Sequence, residues 1–446
     1  GDDDEFFGDD EDFSLSIELD NRLYSVGWVT AISDVTLSDL TLSRFDDTWA
    51  LGVESTDESI DFEIEMRKLA IDEDILHIAS REHSLQGGLS IADQITDITV
   101  ELNQDSEKFY EDNPDDRRED DQAIVHRKFR FQNAATLTSA YVQDEWKRFA
   151  PVFRALAGCR VDHSTFTRET VFSPRLSMTY MLRDDLALRA GWGYFHQAPN
   201  FVSLFERFER QIEWNIFETV TLGTEKAIHY LGGLEWDAGG EYTAKVEGYY
   251  KSLDHLVVLT DSTHNNIPNN SGSGFASGLE LFFQKKPSDS SRLSGWISYS
   301  HSFTKEKTPE KDLYFRDFDQ RHTLNVVSRL RLTKRISIDV TYGYGSGFPW
   351  TPVVEDEAGN PVFDDEGEMV WAKTNSARNP VYKRLDVRVE WERKLGEGRS
   401  ILFYFEIINL LNRRNVYEYY WDNDYSTRLV SYMLPAMPFF GIRLEL

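Results

Sequence analysis

The chain has 446 residues, with 48 Lys and Arg against 77 Asp and Glu, a formal charge of −29. Such an excess of acid argues against binding a nucleic-acid backbone, which needs clustered cations to displace counterions. A single cysteine, Cys159, excludes an intrachain disulfide and any thiolate metal cluster, and no stretch approaches the ~18 uninterrupted apolar residues of a spanning helix.

The acids are concentrated. The opening "GDDDEFFGDDED" has eight acids and no base, and residues 103–122 hold nine acids against three bases. Runs like these sit in solvated loops, where they could also trap cations. The opening lacks a basic-then-apolar leader and reads as cut from a longer chain.

Two-residue alternation dominates from end to end. Phe13, Leu15, Ile17 and Leu19 alternate with Ser14, Ser16 and Glu18; Ile60, Phe62, Ile64 and Met66 alternate with Asp61, Glu63 and Glu65. Leu186, Leu188, Ala190, Trp192 and Tyr194 follow the same pattern, as do Tyr242, Ala244, Val246 and Tyr250. Further on, Leu324, Val326 and Leu330 oppose Arg329 and Arg331, and Ile336, Ile338, Val340, Tyr342 and Tyr344 oppose Arg335, Ser337, Asp339 and Thr341. Leu385, Val387, Val389 and Trp391 oppose Arg384, Asp386, Arg388 and Glu390, and the chain ends on Phe440, Ile442, Leu444 and Leu446. No helical stripe of useful length interrupts this series.

The breaks are of two kinds. Tight ones fall near residues 20, 81, 149, 184, 238, 333 and 397; long polar ones span 103–122, 197–224, 253–272, 304–316, 347–379 and 413–435. Short turns at one end and long loops at the other describe an outer-membrane barrel. The predicted fold is therefore an all-β, transmembrane, antiparallel up-and-down β-barrel. Roughly 19 strands fit in the chain, of about 22 for a large gated barrel. Residues 1–446 form one barrel domain with long extracellular loops and short periplasmic turns. Arg335, Asp339, Arg384, Asp386, Arg388 and Glu390 are expected to line the lumen, and Ile338, Val340 and Val389 to face lipid. Tyr342, Tyr344, Phe348 and Trp350 are expected in the outer aromatic girdle, with His322 as an interfacial anchor beside them.

The segments "AYVQDEW" (140–146), "FSPRLSMTYML" (172–182), "LALRAGWGYFHQAPN" (186–200), "VEGYYKSLDHLV" (246–257), "FDQRHTLNVV" (318–327), "YKRLDVRVEW" (382–391) and "FEIINLLNRRNVYEYYW" (405–421) stand out. In collinear order over residues 84–446 they resemble the barrel strands of TonB-dependent outer-membrane receptors. The run "GCRVDHS" carries Cys159 and Val161 where the family has a Gly-Leu-Arg-Tyr-Asp run, and Leu446 stands where it commonly ends in an aromatic. The resemblance implies uptake of a scarce ligand such as a siderophore, cobalamin or oligosaccharide across a Gram-negative outer membrane, driven by the TonB complex. The family's N-terminal plug domain and TonB-contacting box have no counterpart in these residues, and the count of roughly 19 strands against about 22 leaves about three expected before residue 1. The alternative is a plugless or repurposed barrel serving as scaffold or binding platform with other outer-membrane subunits. Membrane lipid and lipopolysaccharide are the remaining expected partners.

No catalytic motif, metal-ligand spacing or phosphate loop appears, so neither enzyme activity nor a cofactor is expected. The candidate ligand site is the end of the 186–197 strand and the loop after it. Phe195, His196, Gln197, Phe201, Phe205, Trp214 and Phe217 combine exposed aromatics with polar groups there, the composition of a recognition loop.

Overall fold

The computed structural model describes residues 14–54, 58–105, 124–199, 222–262, 265–357, 359–364, 369–396, 398–421 and 428–445. Among them there is no helix, and the strands run in chain order. These are β1 (Ser14–Ser33), β2 (Thr36–Glu54), β3 (Glu58–Ile78), β4 (His83–Asp105), β5 (Ile124–Phe149), β6 (Phe153–Ser164), β7 (Glu169–Arg183) and β8 (Leu186–Gln197). There follow β9 (Glu225–Ala238), β10 (Tyr242–Ser262), β11 (Asn265–Lys285), β12 (Leu293–Lys307), β13 (Tyr314–Phe315), β14 (His322–Arg331) and β15 (Ile336–Gly345). The last are β16 (Pro349–Trp350), β17 (Ala377–Arg378), β18 (Tyr382–Gly396), β19 (Arg399–Ile408), β20 (Val416–Trp421), β21 (Arg428–Tyr432) and β22 (Met437–Glu445).

Each long strand pairs antiparallel with the next, from β1 through β12 to β14, β15, β18, β19 and β22, in one 18-stranded sheet that also holds the two-residue β13. Two small hairpins, β16–β17 and β20–β21, stand in the long loops. Seventeen long strands are thus described, against roughly nineteen expected. Two readings of the sequence are corrected, the first of which accounts for part of the difference. "DNR" at 20–22 is not a turn but lies inside β1, where Asp20, Asn21 and Arg22 pair with Thr48, Asp47 and Asp46. Residues 253–272 are not a long loop either, because β10 and β11 stay paired from Tyr242↔Lys285 out to Ser262↔Asn265, with register shifts between Asp254 and Leu256 and between Leu256 and Val258. His255, at φ 56°, sits at the first of these shifts. The tight turns near 81, 149, 184, 238, 333 and 397 are as expected. At one of them, Asp237 bonds to Lys286 and to the Gly240 N–H, which together hold its carboxyl below the usual carboxylate range.

The register gives the sheet two continuous faces. One row runs Leu330↔Ile338↔Val389↔Phe405↔Phe440, all apolar, with Val389, Phe405 and Phe440 exposed. The next row runs Arg329↔Asp339↔Arg388↔Glu406 on the opposite face. The apolar face carries aromatic rims at both ends: Trp146, Tyr180, Trp236, Tyr242 and Trp391 toward the short turns, and Tyr194, Tyr230, Tyr250, Tyr299 and Tyr342 toward the long loops. Tyr242 and Tyr250 on β10 are eight residues apart, about 27 Å along the strand, or about 20 Å of height at the ~35–45° tilt of such strands, which fits within the apolar band of a membrane barrel of about 25 Å.

On β2, β3 and β4 the alternation changes phase midway. Leu40, Leu42, Leu69, Ile71, Leu89 and Ile91 are exposed on the apolar face nearer the short turns. Further up, that face takes ion pairs instead, Arg44 to Asp46 at 2.7 Å, Arg67 to Asp46 at 3.4 Å and Arg130 Nε to Asp97 at 2.9 Å. There Phe62, Ile64, Ile98 and Val100 point to the other side and are buried: on β4, Leu89 is 64% exposed and Val100 4%. Trp49 joins them, edge-on to Phe62 at 5.3 Å. A membrane strand needs about 9–11 residues, whereas β3 and β4 have 21 and 23. The upper halves are therefore free to reverse which side is oily.

The ionic face is kept open by glycine under aromatic rings. Tyr249 lies across Gly278, whose absent Cβ would come within 2.8 Å of the phenol oxygen and 2.9 Å of the His301 carbonyl. Tyr404 covers Gly441 in the same way. Pairing an aromatic with a glycine across strands lets a curved sheet pack large rings without forcing the backbones apart.

Candidate functional site

The densest polar construction lies at the long-loop end of β12, β14 and β15. Glu306, near the end of β12, is fully buried; it accepts the Tyr314 hydroxyl at 2.8 Å and pairs with Arg316 at 3.1 Å. Strand β13 folds back on β12 through Lys305↔Phe315 and Glu306↔Tyr314. Asp319 is also buried: its carboxylate accepts the Thr304 N–H at 2.6 Å and the Arg378 guanidinium, with Arg321 at 3.9 Å. Arg378 also donates to the carbonyls of Asp319 at 2.7 Å and Gly347 at 3.1 Å. Asn375 donates to the Phe315 carbonyl and to Asp317, both at 2.7 Å. Loops separated by about sixty positions are thereby clamped together, and the buried carboxylates are held in place by being paired.

The clamp leaves one ring ringed by cations. Arg321, Lys305 and Arg378 stand 4.4, 4.5 and 5.1 Å from the centre of Phe315. Beside it opens a cavity of about 690 Å³ lined by Lys311, Arg321, Lys373 and Arg378, with Asp312 the one carboxylate on its wall. That volume is in the range of small-molecule sites, which are about 300–1,000 Å³. Four cations against one carboxylate, beside an aromatic ring, make a lining suited to an anion in a chain of charge −29.

Of the residues picked out from sequence, Phe195, His196 and Gln197 end β8 on the same side of the molecule. Phe195 stacks on His229 at 4.2 Å with Arg175 4.5 Å above its ring, in a hollow of about 490 Å³ that Tyr141, Gln143, Arg160 and Ser173 also line. His196 Nδ1 meets the Ser173 hydroxyl at 2.9 Å, and Gln197 pairs with Glu225 in the ladder. Phe201, Phe205, Trp214 and Phe217 lie outside the described residues. The Phe315 cluster was not anticipated. Its available signal was "KDLYFRDFDQR" (311–321), a loop in which cations, carboxylates and aromatics alternate too closely for a merely solvated segment.

Five of the six charges expected in the lumen share the ionic face. Arg329 donates to Asp339 at 2.6 Å and to Glu390 at 2.7 Å; Arg388 pairs with Glu390 at 2.9 Å and lies 3.9 Å over the Tyr404 ring. Arg384 bonds Asp386 at 2.8 Å, and Asp386 caps the Asn409 N–H at 2.8 Å. Arg335 is exposed in the turn just before β15, where its carbonyl accepts the Glu392 N–H at 2.8 Å. His322 is on the apolar face, its Nδ1 2.8 Å from the Tyr299 hydroxyl and its ring stacked on His301 at 4.5 Å. Tyr342 and Tyr344 share that face, whereas Phe348 and Trp350 belong to the loop after β15, with Trp350 5.1 Å from Tyr419.

Residues 1–410 match the family model described as TonB dependent receptor-like, beta-barrel. Among solved structures, the ferric citrate transporter FecA in its unliganded form superposes with a TM-score of 0.68 at 12% identity, over 96% of this chain and 62% of that one. The pyoverdine outer membrane receptor FpvA from Pseudomonas aeruginosa PAO1 gives 0.68 at 10%, over 97% and 62%. The ferric yersiniabactin uptake receptor FyuA from Yersinia pestis gives 0.65 at 13%, over 96% and 61%. The chain thus spans about 62% of the length of FecA. No curated protein sequence matches it. With its in-order antiparallel strands, one oily face and one ionic face, the chain belongs to the TonB-dependent receptor β-barrel family.

Proposed function

We propose that this chain is the barrel of an outer-membrane, TonB-dependent uptake receptor, and that its outer loops take an anionic ligand of the ferric-chelate kind. The observation that carries the ligand is the cavity beside Phe315, where Lys311, Arg321, Lys373 and Arg378 converge. In this reading the apolar face meets lipid and lipopolysaccharide, because only a barrel with all backbone groups paired can do so. The ionic face is the lumen wall, and Arg329, Asp339, Arg388 and Glu390 hold a plug that TonB moves from the periplasm. Residues 1–446 are read as one barrel domain, in which β1 and β22 share no ladder among the described residues. The charged upper halves of β2–β5 stand above the outer leaflet.

The test is uptake by cells with and without the gene, and with and without TonB, of ferric citrate, a ferric catecholate, cobalamin and a neutral oligosaccharide. Expected is TonB-dependent uptake of an anionic ferric chelate that disappears with the gene, while the neutral ligands enter unchanged. Loss of cobalamin or oligosaccharide uptake instead would contradict the anionic site, and uptake indifferent to TonB would contradict the receptor.

A further inference from the structure

From β6 to β22 the apolar face carries no carboxylate between its aromatic rims. On β2–β5 it is broken by a polar seam. Glu73 points from β3 into this face between Leu40 of β2 and Leu89 of β4, its cross-strand partners, with Ile71 and Ile75 on either side along its own strand. All four of these leucines and isoleucines are exposed. Below Glu73 come Ser38, Thr36 and His77. The Ser38 hydroxyl donates to Glu73 at 2.6 Å, and the Thr36 hydroxyl lies 2.9 Å from His77 Nδ1. Asp144, on the same face of β5, is matched by His83 at 2.6 Å. Among the described residues Glu73 has only the serine.

Glu73 lies five residues above the last hairpin pair, Ile78↔Ser84, about 17 Å along the strand at ~3.4 Å per residue. At the ~35–45° tilt of barrel strands this is about 12–14 Å of depth, near the middle of a ~25 Å apolar band and inside hydrocarbon, where ionisable residues are retained when they meet a partner. A second copy of this chain offers no complement. Two copies lie in the membrane with the same sense, so a symmetric contact through this face would bring Glu73 against Glu73.

We infer that the face of β2–β4 around Glu73 docks a different membrane-embedded subunit, one that places a lysine, arginine or amide donor against this carboxylate. A buried pair of this kind fixes register more than it adds affinity, and the exposed leucines and isoleucines around it supply the packing surface. The inference rests on the outer-membrane reading above.

A photoreactive amino acid placed at Leu40, with Val246 on the opposite wall as control, tests it in the native outer membrane. Expected is one discrete adduct from position 40 and none from 246. The linked peptide should belong to a spanning segment of another protein and bear a basic or amide side chain. Glu73→Leu should lower the yield by about tenfold or more, on the order of one hydrogen bond to a charged group, while Glu73→Gln, which keeps a polar partner, retains most of it. Both variants should keep the heat-sensitive mobility of a folded barrel, which separates lost docking from lost folding. An adduct to lipid alone or to a second copy, equal labelling from 40 and 246, or a yield indifferent to Glu73→Leu would overturn the inference while leaving the membrane reading intact. Absence of the protein from the outer-membrane fraction would overturn both.

Discussion

Replacing Arg378 with leucine is expected to release the loop after β15 from the loop after β12 and to abolish ligand binding. The buried Asp319 would keep the Thr304 N–H at 2.6 Å and Arg321 at 3.9 Å but lose its one close cation. Breaking a buried pair by removing one partner costs roughly 3–5 kcal/mol, more than a loop clamp of a few hydrogen bonds can absorb. Limited proteolysis of the purified protein should then cut within residues 351–378, which the parent protects. Arg378→Lys keeps the charge but cannot also reach the carbonyls of Asp319 and Gly347, so it should fall between. Arg321→Ala separates recognition from architecture: the clamp through Arg378 and Asn375 survives, and anion affinity falls by about tenfold, some 1.4 kcal/mol. Equal affinity in Arg321→Ala and parent would show that the ligand does not use this chamber.

The second large effect concerns the wall. Val389→Arg, in the middle of the apolar face, should destabilise the barrel in lipid vesicles by about 2–4 kcal/mol, the range for a cation on the lipid side near the midplane. Thr341→Arg is the internal control. Thr341 is exposed on the ionic face directly opposite Asp386, so a cation there should change stability by no more than about 0.5 kcal/mol. Urea unfolding in vesicles measures both, and comparable losses in the two variants would mean that neither face is lipid-facing.

The sequence carried much of this architecture because the period of a strand is local. Alternation at 186–194, 336–344 and 385–391 marks strands wherever their partners are, and six of the seven tight breaks named from sequence are hairpin turns. What period two does not carry is which face is oily. Ile60 to Met66 and Leu69 to Ile75 are both alternating runs on one strand, yet they serve opposite sides of the sheet, and only the ladders to β2 and β4 reveal the reversal. Local polarity also misled. "DNR" at 20–22 reads as a turn, but its charges sit in a ladder with Asp46 and Thr48, residues far along the chain. Residues 253–272 read as a loop, although their backbone bonds are made across the β10–β11 hairpin. Beyond the loop 311–321, the assembly of the Phe315 site was not legible, for a stronger form of the same reason. Its parts, Lys305, Asp319, Arg321 and Arg378, are joined by contacts spanning up to 59 positions, and no spacing rule links them. Glu73 is the middle acid of "DED" (72–74), and only its register sets it between Leu40 and Leu89.

The claim on which the rest depends is that one face of this sheet meets lipid and the other water. Single cysteines at Ile338, Asp339, Val340 and Thr341, in a chain whose own Cys159 is replaced by alanine, test it residue by residue in reconstituted membranes. The account predicts that fluorophores at 338 and 340 are quenched by brominated lipid and shielded from an aqueous quencher, while those at 339 and 341 show the reverse. Four positions equally open to the aqueous quencher, or the alternation with its phase inverted, would contradict it.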